Sequence, residues 1–289
     1  MKRLRLLAAA IATMTLEGFA PCKCNYAEFQ PSAKSIKASS KYETRAVATA
    51  PFSKIEATTI GDITYTQKDG APSVKVTAPD NIIGLLDISV GNGTLRISTK
   101  GRHSLNLNGQ KVEISVSSPS LTAVTLAGAA TMRTGGTLTA QSLSLSISGA
   151  GAFTAPTVSC TDGLHIGVSG AGKVDIGNAK ARNADVEASG AGKMKINATT
   201  AEATFDLSGT SSLTLSGTAT RAGYITSGAS SIDATALKAD HVTARATGAS
   251  KVRCHAAKTL KATRSGAADI GYKGNPSVDQ PDGGKLHKL

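Results

Sequence analysis

The chain has 289 residues, enough for one large domain or two ordinary ones with a sizeable core. It contains no Trp and only 3% aromatics, which excludes a compact core built on bulky rings, while 40% hydrophobics exclude wholesale disorder. The formal charge of +12 comes from scattered basic residues without interleaved aromatics; that is a solvated face with some attraction for anionic envelope polymers, not a nucleic-acid surface.

The chain opens as an export signal. Lys2, Arg3 and Arg5 precede the apolar stretch Leu6 to Leu16, which is too short to cross a bilayer comfortably. Gly18-Phe19-Ala20 offers a small-x-small cleavage site, so residues 1–20 are predicted to be a signal peptide. Cys22 and Cys24 lie where a lipoprotein carries its acylated Cys, although Phe19-Ala20-Pro21 is a poor lipobox; simple cleavage and lipidation both stay open. No later segment reaches spanning length. The expected location is the periplasm, the outer membrane surface or the outside, with membrane contact only through a lipid anchor. Residues 21–45 read as a linker.

Residues 46–126 alternate apolar and polar without a clean repeat, as in Gly61-Asp62-Ile63-Thr64-Tyr65-Thr66 and Val74-Lys75-Val76-Thr77-Ala78. Asp69-Gly70 and Asn92-Gly93 are turn signals between such strands. This block is expected to form irregular, longer coils that cover the first open sheet edge of the C-terminal half.

From residue 127 a phrase recurs: Ala127-Gly128-Ala129, Ser148-Gly149-Ala150, Ser169-Gly170-Ala171 and Ser189-Gly190-Ala191, then Ser208-Gly209-Thr210, Ser227-Gly228-Ala229, Thr247-Gly248-Ala249 and Ser265-Gly266-Ala267. The steps between these glycines are 21, 21, 20, 19, 19, 20 and 18 residues. Four positions after each Gly stand Met132, Phe153, Val174, Met194, Leu213, Ile232, Val252 and Ile270, all apolar. Four before it stand Val124, Leu145, Ile166, Val186, Phe205, Tyr224, Ala244 and Ala262. Polar residues fall between, so each side of the glycine has the period-2 alternation of a half-buried strand.

A fixed period of about 20 residues with this pattern predicts an all-β fold, a single-stranded right-handed parallel β-helix, or β-solenoid. Eight coils at about 4.8 Å span roughly 38 Å. Gly128, Gly149, Gly170, Gly190, Gly209, Gly228, Gly248 and Gly266 are expected to turn the corners. The Ala after each should pack beneath it, and the preceding Ser or Thr should stack into a hydroxyl ladder. The solenoid domain is placed at 46–276, with a flexible tail at 277–289. Cys254 falls in an inward column and Cys160 on another side of the coil, several coils away, so no disulfide is expected.

No catalytic, metal-binding or cofactor-binding set emerges. Gly167-x4-Gly172-Lys173 resembles a phosphate loop, but Val174 stands where Ser or Thr is required. Asp175 and Asp233 share an outward column three coils apart, roughly 14 Å on the coil spacing and too far for acid–base partnership. His165, His241 and His255 are dispersed, and no Ser sits in a nucleophile elbow.

Three stretches give the chain a family resemblance: Phe52, Ile55, Gly61-Asp62-Ile63 and Val74-Lys75-Val76; Gly93-Thr94-Leu95-Arg96-Ile97; and the Ser-Gly-Ala turns closing on Ala268-Asp269-Ile270-Gly271-Tyr272-Lys273-Gly274-Asn275-Pro276. In that order it resembles the putative autotransporter adhesin family carrying the head GIN domain. The resemblance implies a right-handed β-helix with an adhesive role and no catalytic residues. The family's turns are often followed by Asp, as at Asp269, whereas Lys173, Lys193 and Lys251 stand here. The expected function is a non-enzymatic envelope protein presenting a repetitive face, with an anionic polysaccharide or a host or cell-surface macromolecule as partner. A carbohydrate-active β-helix enzyme and a purely structural component are the alternatives.

Overall fold

The computed structural model describes residues 34–101, 103–281 and 286–289. The predicted signal peptide, its cleavage site, Cys22 and Cys24 lie outside the described residues. From Gly128 onward the chain stacks as parallel coils, each hydrogen-bonded in register to the next. The column four residues after each glycine is one buried file. It runs from Met132 through Phe153, Val174, Met194, Leu213, Ile232 and Val252 to Ile270, and continues backwards through Ile63 and Ile114. The column four before the glycine continues the same way into Ile55 and Leu95. Where this second file holds its largest side chains, the Phe205 and Tyr224 rings stack at 5.6 Å and 16°. Ala244 and Ala262 follow.

The coils differ in length, and ladder registers show where the difference goes. A coil has three straight runs; in the coil starting at Lys193 they are residues 193–196, 198–200 and 202–207. Extra residues enter at the two bends between runs, as register shifts at Ile176/Ala179, Thr214/Ser216 and Ala234/Lys238 after the first run and at Ser159/Gly163 after the second. Bulges absorb the insertion, so the inward columns stay aligned.

At the third corner all eight repeat glycines have positive φ, from 71° to 105°. A Cβ on Gly190 or Gly209 would lie 2.6 Å from the carbonyl oxygen of the glycine in the preceding coil. The glycine is therefore required twice, by conformation and by the close stacking of backbones. The neighbouring residues depart from expectation. The residue after each glycine, Thr210 in one coil and Ala in the others, is exposed, and in six coils its N–H donates to the preceding glycine's carbonyl, as Ala171 does to Gly149 at 2.8 Å. The buried residue is one further on: Ala130, Gly151, Gly172, Gly192, Ser211, Ser230, Ser250 and Ala268. All are small because that site faces the apolar files; a Cβ on Gly172 would meet Ile147 Cγ2 at 2.7 Å. The Ser and Thr column does not form a hydroxyl ladder either. Ser208 donates to the Ala188 carbonyl at 3.3 Å and Thr247 to that of Thr226 at 3.3 Å, because the carbonyls of the coil behind are the nearer acceptors.

The N-terminal block is built differently. Its stacking order is not its sequence order: Lys54–Ala57 and Gly61–Gln67 lie against the first regular coil, and Thr94–Thr99 and Glu113–Ser118 lie beyond them. Ser73–Pro79 is antiparallel to both Glu113–Ser118 and Tyr42–Val47. Leu86–Gly91 forms a hairpin with Thr94–Thr99 through Asn92 and Gly93, both with positive φ as a tight hairpin turn demands. Asp69-Gly70 reverses the chain without a hairpin, because Gly61–Gln67 and Ser73–Pro79 flank Glu113–Ser118 instead of pairing with each other. The short helix Asp80–Ile83 buries Ile82 and Ile83 in this block.

Two boundaries move. Within the expected linker, Lys34–Lys37 pairs with His103–Asn106 and Tyr42–Val47 joins the antiparallel sheet. Tyr42–Val47 is almost wholly exposed, held by its backbone ladder, so no burial pattern marks it in the sequence. Within the expected tail, Ser277–Asp279 extends the last coil and His287–Lys288 pairs with Gly271 and Tyr272. Cys160 and Cys254 are both buried and free. No helix among the described residues is long and apolar enough to cross a membrane.

Candidate functional site

A surface depression lies on the outward face of the third runs. A cavity of about 780 Å³ is lined by residues from Gln141–Ser144, Gly163–His165, Asn183–Asp185 and Glu202. A second, of about 420 Å³, lies beside it on the same face, lined by residues from Ser146, Gly167–Ser169, Glu187–Ser189 and Asp206. Together they form one shallow trough open to solvent. Its cause is a change of side-chain size along outward columns. One column reads Ser144, His165, Asp185, Thr204 and the next Ser146, Gly167, Glu187, Asp206. In the second column the earlier coils offer Ser and Gly, which sink the surface, and the later coils raise carboxylates above it; in the first, Ser144 lies low beside the larger His165 and Asp185.

Two carboxylates lining the trough, Asp185 and Glu202, have partners. His165 Nδ1 lies 3.1 Å from Asp185 Oδ2, a pair that is about half exposed and so adds little to stability. Glu202 accepts from Arg221 in the next coil. Glu187 and Asp206 stand directly opposite each other in adjacent coils, both exposed, and neither has an ion-pair partner among the described residues. Like charges directly opposite across a ladder destabilise it, so this arrangement works against folding. Chemically the trough is rich in hydrogen-bond acceptors and hydroxyls, suited to a ligand carrying many hydroxyl groups.

Most residues singled out from sequence lie away from the trough. All eight repeat glycines line one corner and none reaches it. Asp175 and Asp233 do share a column on the first-run face, separated by Lys195 and Thr214. Asp233 is occupied by its neighbour Thr235, whose hydroxyl donates to it at 2.8 Å. Gly167 and Gly172 lie on either side of the Gly170 corner and Lys173 points to solvent on the next face, so no phosphate cradle forms. His241 meets Thr259 at 2.9 Å. Asp185, Glu187, Glu202 and Asp206 are absent from the first-run columns that carry the clearest alternation. Three of them fall in the columns five and three places before each glycine, which is the signal that marks them. No group of three or more His, Cys, Asp or Glu that could hold a metal occurs among the described residues.

These features define an all-β parallel solenoid with a polar, solvent-open face. The family described as "Putative auto-transporter adhesin, head GIN domain" matches residues 51–201 and 157–276, and the chain belongs to it. Among solved structures, a putative adhesin from Parabacteroides distasonis ATCC 8503 superposes with a TM-score of 0.70 at 23% identity, covering 88% of this chain and 99% of its own. A putative lipid binding protein from the same organism gives 0.65 at 20% identity, covering 89% and 100%. A putative adhesin from Parabacteroides merdae ATCC 43184 gives 0.61 at 21% identity, covering 89% and 100%. At these identities the likeness is one of fold. No curated protein matches the chain.

Proposed function

We propose that this protein is a non-enzymatic, exported adhesin of the bacterial envelope that seats a neutral, hydroxyl-rich polysaccharide in the trough on its third-run face. The observation that carries the reading is the trough itself: an open depression crossing four coils and edged by Ser, Thr, Asp and Glu side chains, with outward groups repeating at the coil spacing of about 4.8 Å. A polymer with repeating hydroxyls meets repeating acceptors there, and an open face admits a chain of any length. Family membership and the names of two of the similar structures support the adhesive role.

The test is retention of the purified protein on immobilised xylan, mannan and dextran, compared with a variant carrying Ser144→Trp and Ser146→Trp. Both side chains point outward, so the rings fill the trough and leave the core untouched. The expected result is retention on at least one polymer and its loss in the variant. Absence of retention on all three, or retention that survives filling, contradicts the reading; the first outcome favours a purely structural component. One observation favours an enzyme instead. Glu187 and Asp206 face each other at the coil spacing, close to the ~5 Å separation of a retaining glycosidase pair. Against it, both carboxylates are exposed, whereas a general acid depends on burial to hold its proton. Reducing ends released from the same polymers, and abolished by Glu187→Gln, would establish hydrolysis.

A further inference from the structure

The two coils that raise carboxylates beside the trough carry the opposite charge on their other faces. Lys173 and Lys193 stand directly opposite each other on the first-run face, and Lys195 is two residues further along. Around the bend in the same coil as Lys173 come Lys180 and Arg182. All five are exposed or partly exposed, and none has an ion-pair partner among the described residues. Three lysines of later coils are paired instead, Lys251 at 3.7 Å from Asp269, Lys258 at 2.8 Å from Asp240 and Lys261 at 3.8 Å from Asp279, whereas Lys238 has no ion-pair partner among the described residues. Two carboxylates share the Lys195 column: Asp175, opposite Lys195 in the ladder but outside ion-pair distance, and Asp233, two coils further on and held by Thr235.

The repeat supplies its own control on what folding requires. The position held by Lys173 and Lys193 is Ala152 in the preceding coil, Ser212 and Ser231 in the next two and Lys251 in the third; that of Lys195 is Thr154, Asp175, Thr214, Asp233 and Arg253 in other coils. Every one of these coils closes on the same buried files, so the fold does not need the lysines. Placed directly opposite each other, Lys173 and Lys193 oppose it. A face that gathers unneutralised cations at a cost to the ladder has its counter-charge outside the molecule.

We propose that the first-run face carrying Lys173, Lys193 and Lys195 docks an acidic polysaccharide, with Lys180 and Arg182 around the bend adding to its positive field. The surface is a regular sheet with cations on adjacent coils about 4.8 Å apart, which suits an extended chain bearing a charge on successive sugars. A bilayer is the poorer fit. The large exposed apolar side chains are Tyr42, Ile60, Ile225, Val278 and Leu289, and none lies on this face to enter lipid. A single-stranded nucleic acid finds no aromatic side chain among these outward residues to stack its bases on. The face is separate from the trough, so one coil pair holds an acidic polymer on one side and leaves the polar trough free on another.

The test measures binding of the purified protein to heparin, to polygalacturonate and to vesicles of phosphatidylglycerol across a salt series. The variant is Lys173→Ser, Lys193→Ser and Lys195→Ser; a charge-matched variant carries Lys68→Ser, Lys75→Ser and Lys111→Ser, all exposed in the N-terminal block. Removing three fixed cations from a polyanion site should reduce the salt slope by about two to three and weaken binding at least ~tenfold at low salt. The matched variant should bind both polysaccharides as the parent does. Equal weakening in both variants would show attraction by net charge alone and overturn the proposal. So would unchanged binding in the first variant, or capture by the vesicles in preference to both polysaccharides. Retention on neutral polymers should be unaffected by the lysine changes, so this test fails or succeeds independently of the trough.

Discussion

The N-terminal block and the coils from Gly128 to Ile270 share their two inward files but hold them by different means. In the coils each run pairs with the run one period away, and the same small set of positions is reused eight times. In the block, parallel strands continue the files while antiparallel strands close over them, and the chain passes outward and back before the regular stacking begins. A solenoid end is an open sheet edge, a template for unwanted pairing, and irregular antiparallel capping is how that edge is covered. The coils supply regular faces and the block supplies termination.

The largest expected effect comes from breaking the shared file inside the regular coils. Val174 sits between Phe153 and Met194, and Val174→Asp puts a carboxylate in a core with no partner. The expected cost is about 3–5 kcal/mol by urea unfolding. A loss below ~1 kcal/mol would mean the file is not the structural spine.

A second substitution pair separates the two regions by their glycines. Gly190 has φ +105°, and an added Cβ would lie 2.6 Å from the Gly170 carbonyl oxygen; Gly70 has φ +102° with nothing within 4 Å. Gly70→Ala should therefore cost only the left-handed backbone penalty, about 1–2 kcal/mol. Gly190→Ala adds a clash and should cost roughly 1–3 kcal/mol more. Equal losses would show that the coil corner can relax.

The smallest of the three concerns two buried tyrosines. Tyr65, in the block, hydrogen-bonds Ser118 through its hydroxyl at 3.0 Å. Tyr224, in the coils, is fully buried with no partner for its hydroxyl among the described residues, and burial pushes its phenol well above the ordinary range. Tyr65→Phe should cost about 1 kcal/mol, whereas Tyr224→Phe should be neutral or stabilise by up to ~1 kcal/mol. The reverse order in thermal unfolding would contradict the assigned hydroxyl environments.

The coil region is legible in the sequence because one period repeated eight times fixes which side chains face inward, and a strand's alternation leaves no freedom in between. The N-terminal block is less so. Tyr42–Val47 is exposed on both faces, and the inverted stacking of residues 54–67 against 94–118 is a long-range fact that no local pattern encodes. The trough is half legible. Its columns follow from the same period, but Ser146, Gly167, Glu187 and Asp206 share no residue type, so only their size and charge, once stacked, mark a surface. The small buried residue two places after each glycine is hidden in plain composition, because Ala, Gly and Ser there read as corner residues instead of as a packing limit.

The coils are separable units stacked by register. Deletion of residues 190–208 tests this most directly. The cut joins Ser189 to Gly209 and brings Val174 against Leu213 and Val186 against Tyr224, preserving both files. Circular dichroism and thermal unfolding of the deletion should show an intact β signal and a cooperative transition near that of the parent, as expected when each coil contacts mainly its neighbours. Loss of the β signal, in a variant whose remaining coils can still stack in register, would contradict the account.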